Sequence, residues 1–109
     1  MKQYEIRWAE LPEPIGLRPV LLLTRSPAYE YLGKVIVAEI TTTIRGIPQE
    51  VRLSRREGLR QVSVANLDNV HVIAKQLVRE RLGTVGARRH REIKRALGFA
   101  LNWAELMVL

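Results

Sequence analysis

Hydrophobic and polar positions alternate through the first half of the chain at the spacing of strands. In "YEIRWAEL" Tyr4, Ile6 and Trp8 stand against Glu5, Arg7 and Ala9, the period of a half-buried strand. "PEPIG", from Pro12 to Gly16, breaks that run into a loop. "RPVLLLT" is apolar almost throughout, which predicts a strand buried on both faces. "RSPAYEYLG" is a second loop, and "KVIVAEITT" a third strand rich in β-branched residues. "IRGIP" turns the chain, "QEVRL" alternates again, and "SRREGLR" is a charged connection with a turn glycine. "QVSVANL" and "VHVIA" predict two more short strands around Asp68 and Asn69. The period then changes. In "GTVGARRHREIKRALGFALNWAEL" Ile93, Leu97, Ala100, Leu101 and Ala104 recur at helical spacing and form one apolar face. Thr84 or Gly86 supplies the start of this helix, and Gly98 weakens it. Met107 to Leu109 are expected to be loose.

Five or six short strands followed by one helix predict a mainly β fold with α: a small, strongly bent sheet or barrel with the helix packed on it. The 109 residues suffice for one compact domain, 1–109, and are too few for two. No apolar run approaches the roughly 20 residues of a membrane span. Charges at Lys2, Glu5 and Arg7 break up any opening signal segment, so the cytoplasm is the expected location. There is no cysteine, which excludes disulfides, thiolate metal sites and a cysteine nucleophile.

The net charge is +7, and fourteen of the eighteen basic residues are arginine. Arginine presents a planar fork of donors that fits phosphate. This composition suggests a polyanionic partner, nucleic acid or an acidic protein segment; charge alone is equally consistent with a solvated surface. Metal chemistry has little support, because His71 and His90 are the only histidines and neither has a second ligand at a useful spacing. Ser26, Ser54 and Ser63 sit in no nucleophile elbow, and no glycine-rich phosphate loop precedes a lysine.

What remains is arginine with threonine, in an order that spans the chain. "YEIRWAELPEP..GLRPVLLLT", "VIVAEITTTIRGIPQEVRL", "GL..VSVANLDNV" and "LVRERLGTV" resemble the MazF/PemK family of toxin endoribonucleases. The resemblance implies an SH3-like barrel with a C-terminal helix, acting as a homodimer. It implies metal-independent cleavage of single-stranded RNA at short sequences, no cofactor, and a cognate antitoxin that blocks the RNA groove. The family's essential arginine falls on Arg18 and its essential threonine or serine on Thr41. Its acidic residue five positions before that arginine falls on Glu13, in a loop shorter than in many members. Arg45 and Gly46 match a position that is basic and then glycine.

These residue types suit the reaction. RNA carries its own nucleophile, the 2′-hydroxyl, so alignment with the adjacent phosphorus suffices for cleavage to a 2′,3′-cyclic phosphate and a 5′-hydroxyl. Arg18 offers two parallel donors to the charged phosphate oxygens, and Thr41 adds one more. A proton acceptor is still needed. Arginine is a poor base, and Glu13 is the carboxylate the pattern offers. Strand alternation puts Thr41 and Thr43 on one face and Thr42 on the other, where it packs. Arg7, Thr43, Arg45, Arg52, Arg55 and Arg56, with Arg60, are the candidate RNA contacts. Trp8 and Tyr29 are candidates for stacking on bases, and Trp8 equally for the core. Arg88, Arg89, Arg91, Lys94 and Arg95 read as the solvent face of the helix. Two other readings remain: a non-enzymatic toxin of the same fold that inhibits a protein such as a topoisomerase, and a plain RNA-binding barrel.

Overall fold

The computed structural model describes residues 1–108. Six strands, β1 (Glu5–Leu11), β2 (Gly16–Leu22), β3 (Lys34–Thr41), β4 (Glu50–Leu53), β5 (Ser63–Ala74) and β6 (Val78–Thr84), precede helices α1 (His90–Leu101) and α2 (Ala104–Met107). The strands form one antiparallel sheet in the order β4-β5-β3-β2-β1-β6.

The centre of the sheet is buried on both faces, as the apolar run in β2 predicts. Ile6, Leu21, Ala38, Ile40 and Leu53 pack into one core with Ile93 and Ala96 of α1. The alternate positions Ala9, Val20, Leu22, Val35 and Val37 form a second core on the other face. The sheet curls until its two ends meet. Beyond β4 a 3-10 turn, Arg55–Glu57, runs into Gly58 at φ +94°, and Gly58 lies against Leu82 and Gly83 of β6. A Cβ on Gly83 would stand 2.0 Å from the Glu57 carbonyl oxygen, and one on Gly58 would stand 2.0 Å from that of Leu82. The partly closed barrel is therefore sealed by two glycines in direct backbone approach.

Several sequence expectations change. "QVSVANL" and "VHVIA" are one strand, β5. Its register against β3 jumps from Ala38↔Val70 to Glu39↔Asn66, so Leu67, Asp68 and Asn69 form a bulge rather than a break. The sixth strand is instead Val78–Thr84, whose burial is too uneven to show a clean period. The helix ends at Leu101, because Asn102 adopts a left-handed conformation, φ 52°. Leu101 and Ala104 are consequently exposed, and the buried face is Ile93, Ala96, Leu97 and Ala100. Gly98 does more than weaken α1. A Cβ there would lie 2.8–2.9 Å from Met107, Leu106 and Trp103, so its absence lets α2 fold back onto α1. Met107 belongs to α2, and Leu109 lies outside the described residues.

Candidate active site

β2 opens at Gly16, φ +71°, and Arg18 follows two residues later opposite Ala9 of β1. Two residues further on, Val20 faces Glu39 of β3. Directly opposed residues share a face of the sheet, so Arg18 and Glu39 are diagonal neighbours. Thr41 lies two positions beyond Glu39 on the same face. Asn66 of β5 sits opposite Glu39, and His71 opposite Val37. Pairing register alone thus gathers four polar side chains around Glu39. The result is an open groove of about 260 Å³ lined by Arg18, Glu39, Thr41, Thr43, Arg45, Asn66 and Asn69. That volume is small beside the roughly 300–1,000 Å³ of an enclosing small-molecule pocket. It suits a chain laid across it.

Glu39 is the centre of the groove's charge. Its Oε2 is 2.6 Å from His71 Nε2, and its Oε1 is 3.6 Å from Arg18 Nη1. Its side chain is 12% exposed against 32% for Arg18, so the guanidinium is braced on one side and open on the other. The Thr41 hydroxyl oxygen accepts the Thr43 N–H at 3.1 Å, bending the chain as β3 ends. A hydroxyl that accepts still has its own proton to donate. The following loop is held by the Glu50 carboxylate, which accepts the N–H groups of Arg45 (3.1 Å) and Gly46 (2.9 Å). Gly46 takes φ +71°, the conformation that favours glycine in this turn. On β5 the bulge is fixed by the Asp68 N–H donating to Asn66 Oδ1 (2.9 Å) and by Gln49 Nε2 donating to Asp68 (2.7 Å). It carries Asn69 into the groove.

Arg18, Thr41, Thr43 and Arg45 of the sequence-predicted residues meet here. Glu13 does not line the groove; it is exposed in the β1–β2 loop. Thr42 points to the opposite side, where it lines a separate depression with Trp8, Pro19 and Leu59. It is exposed there rather than packed. Arg7 is engaged elsewhere: its Nε is 3.0 Å from Glu5 and its Nη1 donates to the Arg79 carbonyl at 3.1 Å. Arg52 and Arg56 flank a surface depression beside Arg89, and Arg55 and Arg60 another beside Val62. Arg89 is not simply a solvent-face charge, since Glu92 (2.8 Å) and Glu57 (3.4 Å) hold it. Trp8 is half-buried. Tyr29 is 6% exposed within the second core, where burial pushes its phenol up to about 12, so it presents no face to a base.

Glu39, Asn66, Asn69 and His71 escaped the sequence reading. Glu39 carried the one usable signal: an acidic residue in a β-branched strand, two positions before Thr41 and so on its face. Among the described residues no three His, Cys, Asp or Glu side chains gather as a metal-binding cluster.

A curled antiparallel sheet with a groove lined by guanidinium, hydroxyl and amide groups defines a small, partly closed β-barrel protein with a C-terminal helix. Residues 2–101 match the family described as PemK-like, MazF-like toxin of type II toxin-antitoxin system, and the chain belongs to that family. It is 38% identical over 99 residues to the probable endoribonuclease MazF5 of Mycobacterium tuberculosis, covering 90% of each chain. Toxin MazF-mt6 of the same organism superposes with a TM-score of 0.85 at 36% identity, covering 90% of this chain and 96% of that one. An endoribonuclease in complex with its cognate antitoxin, from a mycobacterial species, shares the fold with a TM-score of 0.81. At 24% identity it covers 94% of this chain and 95% of its own.

Proposed function

We propose that the protein is the toxin of a type II toxin–antitoxin system and that it cuts single-stranded RNA in the groove between Arg18 and Thr41. The observation that carries this reading is the shared groove of Arg18, Thr41, Thr43 and Arg45 in a chain of this family. Arg18 grips two non-bridging phosphate oxygens, and the Thr41 hydroxyl fixes the phosphate's orientation. The 2′-hydroxyl attacks the adjacent phosphorus, the bond to the 5′-oxygen breaks, and the products carry a 2′,3′-cyclic phosphate and a 5′-hydroxyl. The nucleophile belongs to the substrate, so a positioned phosphate and a proton acceptor suffice without a metal ion. The open groove accepts a single strand and leaves base readout to its rim, where Arg45 and Asn69 stand. Arg52, Arg55 and Arg56 extend the basic surface along which the backbone lies. The toxin works in the cytoplasm as a homodimer, and its cognate antitoxin covers the groove.

The experiment is single-turnover cleavage of an end-labelled RNA in excess EDTA by the wild-type protein and by Arg18→Ala. Cutting by the first and its loss in the second are expected. Intact RNA with both would remove the reading in favour of a toxin that blocks a protein target.

A further inference from the structure

We propose that Glu39 is the general base of the reaction and that His71 holds its carboxylate in place; this rests on the nuclease reading above. The 2′-oxygen and the phosphorus it attacks are neighbours in the RNA chain, so the proton acceptor must stand beside the phosphate grip. Glu39 Oε1 is 3.6 Å from Arg18 Nη1, and Thr41 is two residues along the same strand face. Chemistry narrows the choice further. Among the described residues lining the groove, arginine is permanently charged, and threonine hydroxyls and asparagine amides are not bases. Glu39 is the one carboxylate there, whereas Glu13 lies outside.

His71 determines which oxygen acts. Its Nε2 at 2.6 Å occupies Oε2 and fixes the rotation of the carboxylate, leaving Oε1 toward the phosphate site. The two residues come from neighbouring strands, β3 and β5, and rigid elements hold such geometry better than a loop would. The titratable and charged groups facing the carboxylate are His71 from β5 and Arg18 from β2, with Arg45 on the same groove. The two arginines offset the repulsion between carboxylate and phosphate. In the step itself, Glu39 takes the proton from the 2′-hydroxyl as the O2′–P bond forms. The P–O5′ bond breaks, and the leaving 5′-oxygen takes a proton from water in the open groove.

The competing account is that Glu39 merely braces Arg18, and the test separates the two. Glu39→Gln keeps the shape and most of the hydrogen bonding. It should cut RNA at least about a hundredfold more slowly in single turnover, the usual size of a general-base contribution. Affinity for the same RNA with a 2′-deoxy sugar at the cut site should change by less than about threefold. Sodium formate should restore part of the activity of Glu39→Ala and none of Arg18→Ala, because a small carboxylate replaces a base but not a guanidinium. His71→Gln, which retains a donor, should lose less than Glu39→Gln. Glu39→Gln cutting at the wild-type rate would overturn the assignment and leave the nuclease reading standing. So would loss of RNA affinity in step with rate and without formate rescue, which would mark Glu39 as a brace. Wild-type protein that leaves RNA intact would remove both.

Discussion

Two carboxylates on this sheet pair with basic side chains and serve different ends. Glu39 faces the groove, where Oε1, on the Arg18 side, is the useful oxygen. Glu5 has no free side. It is 8% exposed, accepts the Lys2 N–H at 3.0 Å, and pairs with Arg7 (3.0 Å) and Arg81 (3.2 Å). Burial pushes its carboxyl up, but hydrogen bonds from Lys2 and Arg7 and the charge of Arg7 outweigh this and hold it below its usual range. A depressed folded pKa stabilises the fold above the unfolded value of about 4.3, and that contribution is lost as pH falls through the lower, folded value. Glu5→Gln should therefore cost about 2 kcal/mol near neutrality and clearly less near pH 3. Urea melts at the two pH values check this; an equal cost at both would contradict it. The three consecutive threonines also divide at this scale. The Thr41 hydroxyl bends the chain and faces the groove, Thr43 shares that face, and Thr42 looks the other way.

Among the elements, the seam between the β4 connection and β6 is the least forgiving point. Gly83 needs no positive φ, yet a Cβ there meets the Glu57 carbonyl oxygen at 2.0 Å, backbone against backbone. Gly83→Ala should destabilise the fold by about 3 kcal/mol, the upper end of ordinary overpacking. Thermal or urea unfolding measures this, and a variant as stable as wild type would show that the seam does not close the barrel. The sequence could not reveal this pair, because glycine in a strand reads as a generic weakness until its neighbour across the seam is known. β1, β2, β3 and β4 were legible, since their periodicity comes from burial that the fold imposes. β5 was read as two strands because Asp68 and Asn69 look like a turn, and only the pairing with β3 distinguishes a bulge from a break. β6 was missed because just one of its seven residues, Val78, is buried. The groove was half legible. Arg18, Thr41 and Arg45 are visible through family order and Thr43 through strand alternation, whereas Glu39, Asn66 and His71 are brought to them by strand register.

For the whole molecule, the +7 charge and the arginine-lined surfaces predict binding that weakens with salt. If Arg18, Arg45 and one arginine of the Arg52–Arg56 surface each neutralise a phosphate, affinity for an uncleavable single strand should fall about twentyfold between about 50 and 200 mM salt. A flat response in fluorescence anisotropy would leave the basic surface without this role. In the proposed reaction Arg18 and Thr41 hold one phosphate while the 2′-hydroxyl of the RNA attacks it. The most direct measurement is single-turnover cleavage of an end-labelled RNA in excess EDTA, with circular dichroism to verify folding. Wild-type protein and Thr42→Ala should cut at similar rates and leave a 2′,3′-cyclic phosphate. Arg18→Ala and Thr41→Ala should each be folded and at least about a hundredfold slower, the double variant little worse than the worse single one. Arg18→Lys should fail as well, because an ammonium cannot make the parallel two-donor contact. A folded Arg18→Ala variant that cuts at the wild-type rate would contradict the account.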